Sequence, residues 1–255
     1  MTFPAALAVV KELIAEGSVD LISLNDHTPG QGQYRNLEIH RANLAKSKGI
    51  TLEEAQATLE QRIRERRESV GDLAATLKAI SEHCALHGVP LASHDDDTAQ
   101  KVQLMHDLGA RISEFPVTVE AAREAKRLGL LNAMGAPNAL RGMSYSGNLS
   151  AREAHAAGVL DILAADYHPS AMLPAILTLA KTDLGGLAGA ARLSTVNVAS
   201  ALGLEDRGEI REGLRADLII ANDAGVGFVH TTIVKGRMIF SDGVLPLPAA
   251  QRQLA

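Results

Sequence analysis

The sequence predicts an α/β fold in which parallel strands joined by crossover helices are followed by a small antiparallel β-structure. Three observations carry this. Five short apolar runs, at residues 21–27 (LISLNDH), 90–95 (PLASHD), 111–116 (RISEFP), 132–138 (NAMGAPN) and 161–167 (DILAADY), each end in a polar or acidic residue and a turn. Helical patterns stand between them. Residues 205–255 lose that rhythm and read as short strands around glycine turns.

A short apolar run can be a strand or a piece of buried helix, and its flanks decide. Helical patterns at 4–16, 71–87, 99–108 and 118–128 stop at Gly17, Gly88, Gly109 and Gly129. Glycine takes the left-handed position after a helix at little cost, so these are helix stops. Ser150 and Glu153 form a capping box that opens the helix before the fifth run. Within 71–87, Leu73, Leu77, Ile80 and Cys84 recur at helical spacing, which places the single cysteine on a buried stripe as a structural thiol.

Strand and helix in alternation read as a parallel sheet with right-handed crossovers. A doubly wound sheet and a (β/α) barrel both fit. The polar groups favour the barrel. Asp26 and His27, His94 and Asp95, Glu114, Asn138 and Asp166 close the five runs, and convergence of several strand ends on one site is barrel behaviour. No G-x-G-x-x-G follows a strand, as it would in a doubly wound nucleotide binder. A closed barrel has eight strands; five are counted here.

Two stretches break the pattern. Residues 31–68 are polar and contain a helix at 52–67, whose QRIRERRE run interleaves both signs of charge. This is the signature of a solvated helix face, with a lid over the barrel mouth as the alternative. Residues 195–204 form a short helix stopped by Gly203. RGEIREGLRADLIIAN and TTIVKGRMIFSDG then read as strands with Arg207-Gly208 and Lys235-Gly236 as turns. The expected division is a barrel portion over 1–204 and an appended β-structure over 205–255.

Composition narrows the function. Of 255 residues, 46% are hydrophobic and 22% charged, enough apolar surface to bury a core. A net charge of −5 argues against nucleic-acid binding through a basic surface. No apolar run approaches the ~20 residues of a membrane span. One cysteine excludes an internal disulfide framework and fits a reducing compartment. The N-terminus carries Glu12 and Glu16 and lacks a basic leader, so it reads as a helix. The expectation is a cytoplasmic protein with no nucleic-acid or membrane partner.

The candidate chemistry lies on the strand ends. His27, His94 and Asp166 each close a strand on one rim, and their hardness suits Zn²⁺, Mn²⁺ or a similar divalent ion. One histidine among nine is usually a surface or satisfied core residue; the shared rim raises His27 and His94 above that. Of the others, His40, His83, His87, His106, His155 and His230 fall on helices or the appendage and read as ordinary surface or core residues. Asp166 is placed to accept a proton from water beside such an ion. Glu114 is a partner of the ligands or a catalytic acid, with a salt bridge inside the barrel as the alternative. One of Asp95, Asp96 and Asp97 is expected to cap the following helix.

Residues 135–148 (GAPNALRGMSYSGN) hold three glycines, Arg141, Ser144, Ser146 and Asn148 without a hydrophobic period, and read as a donor-rich loop suited to phosphate. Residues 28–35 (TPGQGQYR) add Gln31, Gln33 and Arg35 beside His27. Together the two loops point to a highly anionic substrate.

LNDHTPGQGQY, ASHDDDT, EFPVT, MGAPNALRGMSYSGN and AADYHP, in this order, resemble the phosphonate-metabolism branch of the amidohydrolase superfamily. TVNVASALGL, RGEIREGLRADLIIAN and VKGRMIF are similar to the tail shared across the wider superfamily. The resemblance covers nearly the whole chain. It implies a (β/α)8 TIM barrel of the metal-dependent hydrolase type, present here as its last five strands, with part of a small β-sandwich at the C-terminus. It also implies hydrolysis of a ribosyl 5-triphosphate, in which water attacks the phosphorus nearest the ribose and diphosphate leaves. His27, His94 and Asp166 match positions expected to face a divalent metal ion (Zn, Mn or Mg). Asp166 and Glu114 are the expected catalytic groups. Arg141, Ser144 and Asn148 fall in a family-specific loop assigned to phosphate, and Arg35 and Asn138 complete the expected substrate-binding set. Relatives of this kind begin with sandwich strands and three earlier βα units, so the chain reads as N-terminally truncated and as a homo-oligomer. Alternatives are a C–N hydrolase of the same superfamily, or a non-catalytic remnant that folds only by oligomerising.

Overall fold

The computed structural model describes residues 4–25, 29–68, 70–144 and 147–244. Helix α1 (Pro4–Ala15) leads into β1 (Ile22–Leu24). A 3-10 turn (Gly32–Tyr34) follows, then α2 (Leu37–Lys48), α3 (Leu52–Glu68) and α4 (Val70–His87). Regular alternation then sets in: β2 (Leu91–His94), α5 (Ala99–Asp107), β3 (Ala110–Glu114), α6 (Val119–Arg127) and β4 (Leu131–Gly135). Two short helices, α7 (Ala136–Arg141) and α8 (Ala151–Ala156), precede β5 (Ile162–Ala164). Helices α9 (Met172–Leu179), α10 (Gly186–Arg192) and α11 (Val196–Leu202) come next.

The five strands form one parallel sheet in the order β1-β2-β3-β4-β5. Sequential order decides between the two architectures that alternation left open. A doubly wound sheet reverses direction partway and places a late strand beside the first. Here every crossover advances one strand the same way, as in a (β/α) barrel, so the sheet is a five-strand arc of one.

Side chains alternate across the arc, except at an irregularity of β3 at Arg111 that puts Ala110 and Ile112 on opposite faces. Ile22, Leu24, Leu91 and Ala110 point to the helical layer, where they pack with Val10, Ile14, Ile80, Cys84, Val102 and Met105. Cys84 thus lies on the buried stripe that its spacing predicts. Met134 and Leu163 extend this layer against residues of α8 and α9. On the opposite face Ala92, Ile112, Ala133 and Ile162 meet Val198, Ala201 and Leu202 of α11. Asn132 is fully buried between strand and helix, its amide donating to the Ala122 carbonyl at 2.8 Å.

The local signals act as expected. Gly17, Gly88, Gly109 and Gly129 all take positive φ after their helices. The Ser150–Glu153 capping box is formed in both directions. Four readings need correction. Residues 135–148 are not all loop: Gly135 is the N-cap of α7, Pro137 sits in its first turn, and Gly142 ends it in the left-handed conformation. Six residues are too few to show a hydrophobic period, so the sequence concealed this helix. For the same reason β4 ends at Gly135, and Asn138 stands on a helix and not at a strand end.

The polar stretch at 31–68 contains a second helix, α2, which Asn36 caps by accepting from the Glu38 and Ile39 amides. It pairs with α3 through its own small cluster of Leu44, Ala45, Ala55 and Leu59. On the outer side of α3, Gln61, Arg64 and Glu65 are exposed.

At the C-terminus β6 (Leu218–Ala221), β7 (Val229–Val234) and β8 (Arg237–Ser241) form an antiparallel sheet. Lys235 and Gly236 make the β7–β8 turn, both at positive φ, as a two-residue hairpin requires. Arg207-Gly208 is not a hairpin turn. Gly208 runs close against α11, where an added Cβ would stand 2.8 Å from the Ala199 Cβ; close approach, not strand reversal, demands the glycine. Among the described residues no helix is long and apolar enough to cross a membrane.

Candidate active site

The carboxyl ends of the strands open on a cleft of about 320 Å³. Its backbone is strained at three places. Asp95, Phe115 and Asp166 take φ of 55°, 54° and 54°, just past the ends of β2, β3 and β5. Non-glycine residues in this region cost about 1–3 kcal/mol each and cluster at functional sites. All three line the cleft.

The end of β2 is held from below. Lys101, on the first turn of α5, donates through Nζ to the carbonyls of His94 (2.7 Å) and Asp95 (3.0 Å). It also stands 3.8 Å from the carboxylate of Asp96. Asp96 is fully buried, and its Oδ2 accepts from the hydroxyls of Ser93 and Ser113, both at 2.5 Å. This pins β2 to β3. The acidic run therefore divides its labour in a way composition could not show. Asp95 faces His94, Asp96 ties strands together, and Asp97 accepts from the Gly32 amide at 2.8 Å. The N-cap of α5 is none of them but Thr98, which accepts from the Lys101 amide.

His94 has its Nδ1 3.1 Å from Asp95 Oδ2 and its Nε2 3.9 Å from Glu114 Oε2. The ring meets Phe115 edge-on. Burial pulls the imidazole pKa down. The Asp95 hydrogen bond and the charges of Asp95 and Glu114 outweigh burial and leave it raised, with Lys101 opposing. Glu114 accepts from the Ser23 hydroxyl at 2.6 Å, which ties β3 to β1. Asp166 lies across the cleft against Gly135, where an added Cβ would stand 3.5 Å from its Oδ2.

The other wall is basic and polar. Asn138, Arg141, Ser144 and Asn148 all line the cleft. Asn138 Oδ1 accepts from the Ala151 amide at 2.9 Å, joining α7 to α8. Asn148 reaches the Gln33 carbonyl at 3.5 Å. Arg141 donates to the Tyr167 hydroxyl at 2.6 Å. The loop after β1 enters through Asn25 and Gln33. Burial and then the charge of Asp95 push the Tyr34 phenol up, against Arg62. Tyr34 in turn packs on the His40 ring at 4.1 Å.

Of the residues singled out from sequence, the structure brings His94, Asp166, Asn138, Arg141, Ser144 and Asn148 to one cleft, with Glu114 beside His94. Arg35 is exposed and does not line it. Asp26, His27 and Ser146 lie outside the described residues. Lys101 and Tyr167 were not anticipated. Tyr167 follows Asp166 directly, which was a signal; Lys101 reads as an ordinary surface lysine on a helix and gave none.

Among the described residues no three His, Cys, Asp or Glu side chains are grouped closely enough to hold a metal ion. His94 and Asp166 supply an imidazole and a carboxylate to the cleft, a donor set that suits a divalent ion. His94 is flanked by carboxylates of the kind that orient a ligating ring. The donors present fit such an ion but do not complete its site. An imidazole and carboxylates, together with a guanidinium and hydroxyls in the same cleft, make an arrangement able to move protons beside a bound anion.

No protein-family model matches the sequence. The chain is 40% identical over 223 residues to the alpha-D-ribose 1-methylphosphonate 5-triphosphate diphosphatase of Escherichia coli K12, an alignment covering 85% of this chain and 57% of that protein. The chain thus spans little more than half the length of this curated relative. A crystal structure of 5-methylcytosine deaminase from Klebsiella pneumoniae superposes with a TM-score of 0.55 at 16% identity, covering 98% of this chain and 62% of the deaminase. An uncharacterised protein of known structure gives 0.52 at 16% identity, over 66% of this chain and 49% of its own. These two likenesses show the fold alone.

Proposed function

We propose that this chain, a relative of the ribosyl-triphosphate diphosphatase, carries out the same kind of hydrolysis. In this reading α-D-ribose 1-methylphosphonate 5-triphosphate is cut to the 5-phosphate and diphosphate. The observation that carries it is the single cleft that His94, Asp166, Arg141 and Ser144 line together. A nucleobase or a cyclic amide offers no polyanion for the guanidinium wall, which favours the phosphoanhydride over C–N cleavage.

His94 and Asp166, with His27, would hold a divalent ion. The chemistry such an ion supplies when bound is a lowered pKa for water and neutralisation of phosphoryl charge. The chain's own groups do the rest. Arg141 and Ser144 bind phosphoryl oxygens of the two phosphates that leave, which anchors the polyphosphate chain in the cleft. Asp166 accepts a proton from that water as the new P–O bond forms. The bridging P–O bond breaks, and its electron pair leaves with diphosphate. Glu114 steadies the His94 ring, and Asn138 and Asn148 shape the wall that carries Arg141. In the same reading residues 1–204 form a catalytic barrel portion and 205–255 part of a β-sandwich, and the protein acts in the cytoplasm as a homo-oligomer.

The test is product analysis by phosphorus NMR with the ribosyl triphosphate and added Zn²⁺, Mn²⁺ or Mg²⁺. Diphosphate and the 5-phosphate in equal amounts are expected. Orthophosphate as the first product, or ammonia release from cytosine-type substrates with no phosphate release, overturns the reading.

A further inference from the structure

The cleft rim contains a contact outside the roles assigned above. Arg141 is the last residue of α7, a helix of one and a half turns, and by itself such a helix places a long side chain poorly. Two contacts fix it. The α7 carbonyls of Ala139 and Leu140 accept from Arg152 Nε and Nη2 at 2.6 and 2.7 Å, which steadies the helix end. Arg141 Nη1 then donates to Tyr167 Oη at 2.6 Å, across from the β4 unit to the β5 unit.

Tyr167 is 66% exposed, so its ring is not there to fill a core. It lines the cleft together with Arg141 and directly follows Asp166. The left-handed backbone at Asp166 lets two successive residues face the same cleft. The phenol oxygen accepts from the guanidinium, so its own proton is directed elsewhere, as a donor. Guanidinium and phenol together thus offer N–H and O–H donors to the cleft, which matches the oxygens of an anion. The bond to the phenol restrains the guanidinium, and a planar fork binds phosphoryl oxygens best when it is held in place.

We infer that Tyr167 is a specificity-determining residue that positions Arg141 and adds its own O–H to the far end of a polyphosphate chain, so that the cleft selects a triphosphate over shorter phosphates. This rests on the phosphoanhydride reading of the same site. The probes are inorganic tripolyphosphate, pyrophosphate and orthophosphate in excess Mg²⁺, with affinities from calorimetry and folding checked by thermal melts. Wild type is expected to prefer tripolyphosphate to pyrophosphate by about tenfold or more, one charge-assisted contact's worth. Tyr167→Phe should bring that ratio down to about threefold or less while pyrophosphate affinity changes little. On an Arg141→Ala background the tyrosine change should cost less than it does in wild type, because only its direct O–H contact is left to lose. An unchanged ratio in Tyr167→Phe, or equal weakening for all three phosphates, overturns the role of Tyr167 and leaves the hydrolase reading standing. No measurable binding of any phosphate by wild type overturns both.

Discussion

Lys101 holds the backbone of His94 from beneath, its ammonium donating to the His94 carbonyl at 2.7 Å and to the Asp95 carbonyl at 3.0 Å. Its third neighbour, 3.8 Å away, is the carboxylate of Asp96, which has no solvent exposure. One cation therefore stabilises the strained Asp95 backbone and compensates a buried charge. A buried carboxylate that loses its partner is costly, whereas replacing both members of the pair is not. Lys101→Met should destabilise the protein by about 3 kcal/mol in urea titrations, and adding Asp96→Asn should recover part of that loss. A loss below about 1 kcal/mol, or no recovery in the double variant, would show that the charge on Lys101 matters little here.

The two walls of the cleft should separate in mutagenesis. His94→Ala removes an imidazole from the carboxylate side, and the protein should no longer retain a divalent ion through gel filtration, as read by elemental analysis. Arg141→Ala leaves that side intact and removes uniform phosphate binding. It should raise KM for the triphosphate by about tenfold or more with kcat largely kept. Full metal content in the histidine variant would remove His94 from the proposed ligands.

Acid stability should report on a pair far from the cleft. The carboxylate of Asp183 is held below the ordinary range, first by the hydrogen bond from His155 at 2.9 Å; burial opposes this, and the Gly185 amide and the His155 charge add to it. With the folded pKa depressed, this contribution is complete above the unfolded value, about 3.9. It is lost as pH falls through the folded one. Asp183→Asn should be less stable than wild type at pH 6, and the gap should narrow below about pH 4. A gap of constant size down to pH 2 would contradict the assignment. Gly189→Ala should act similarly, because its Cβ would overlap Asp183 Oδ1.

Cys84 should be inert in the folded protein. It is 1% exposed, and burial pushes its thiol pKa up, so little nucleophilic thiolate forms. A chromogenic disulfide reagent at pH 8 should react with it only after denaturant is added. Rapid stoichiometric reaction with the native protein would mean that the α4–α5 layer opens readily.

Glycine stops, a capping box and strand alternation are local. Gly17, Gly88, Gly109 and Gly129 each announce a helix end from one residue, and five strand runs could be found from their flanks. Where a feature is short it vanishes from view. Helix α7 has six residues, less than two periods, and Asn138 passed for a strand end. The site was partly legible for the same reason. His94 and Asp166 follow strands, and strand ends in a barrel converge. Arg35 lies in the loop after β1, past the 3-10 turn at Gly32–Tyr34, and stays exposed, because neighbourhood in sequence does not set direction in space.

The sequence by itself determined the repeating strand–helix units, the buried stripe that holds Cys84, and a set of polar groups waiting at the strand ends. Tertiary structure decided the order of the strands, which bears out the barrel that the polar strand ends pointed to. It also decided which of three adjacent aspartates meets His94, which binds two serines and which holds a loop. Asp95, Asp96 and Asp97 are chemically identical side chains. Only the strained turn at Asp95, with Lys101 beneath it, sends them in different directions, and that geometry arises from contacts between elements that sequence proximity does not encode.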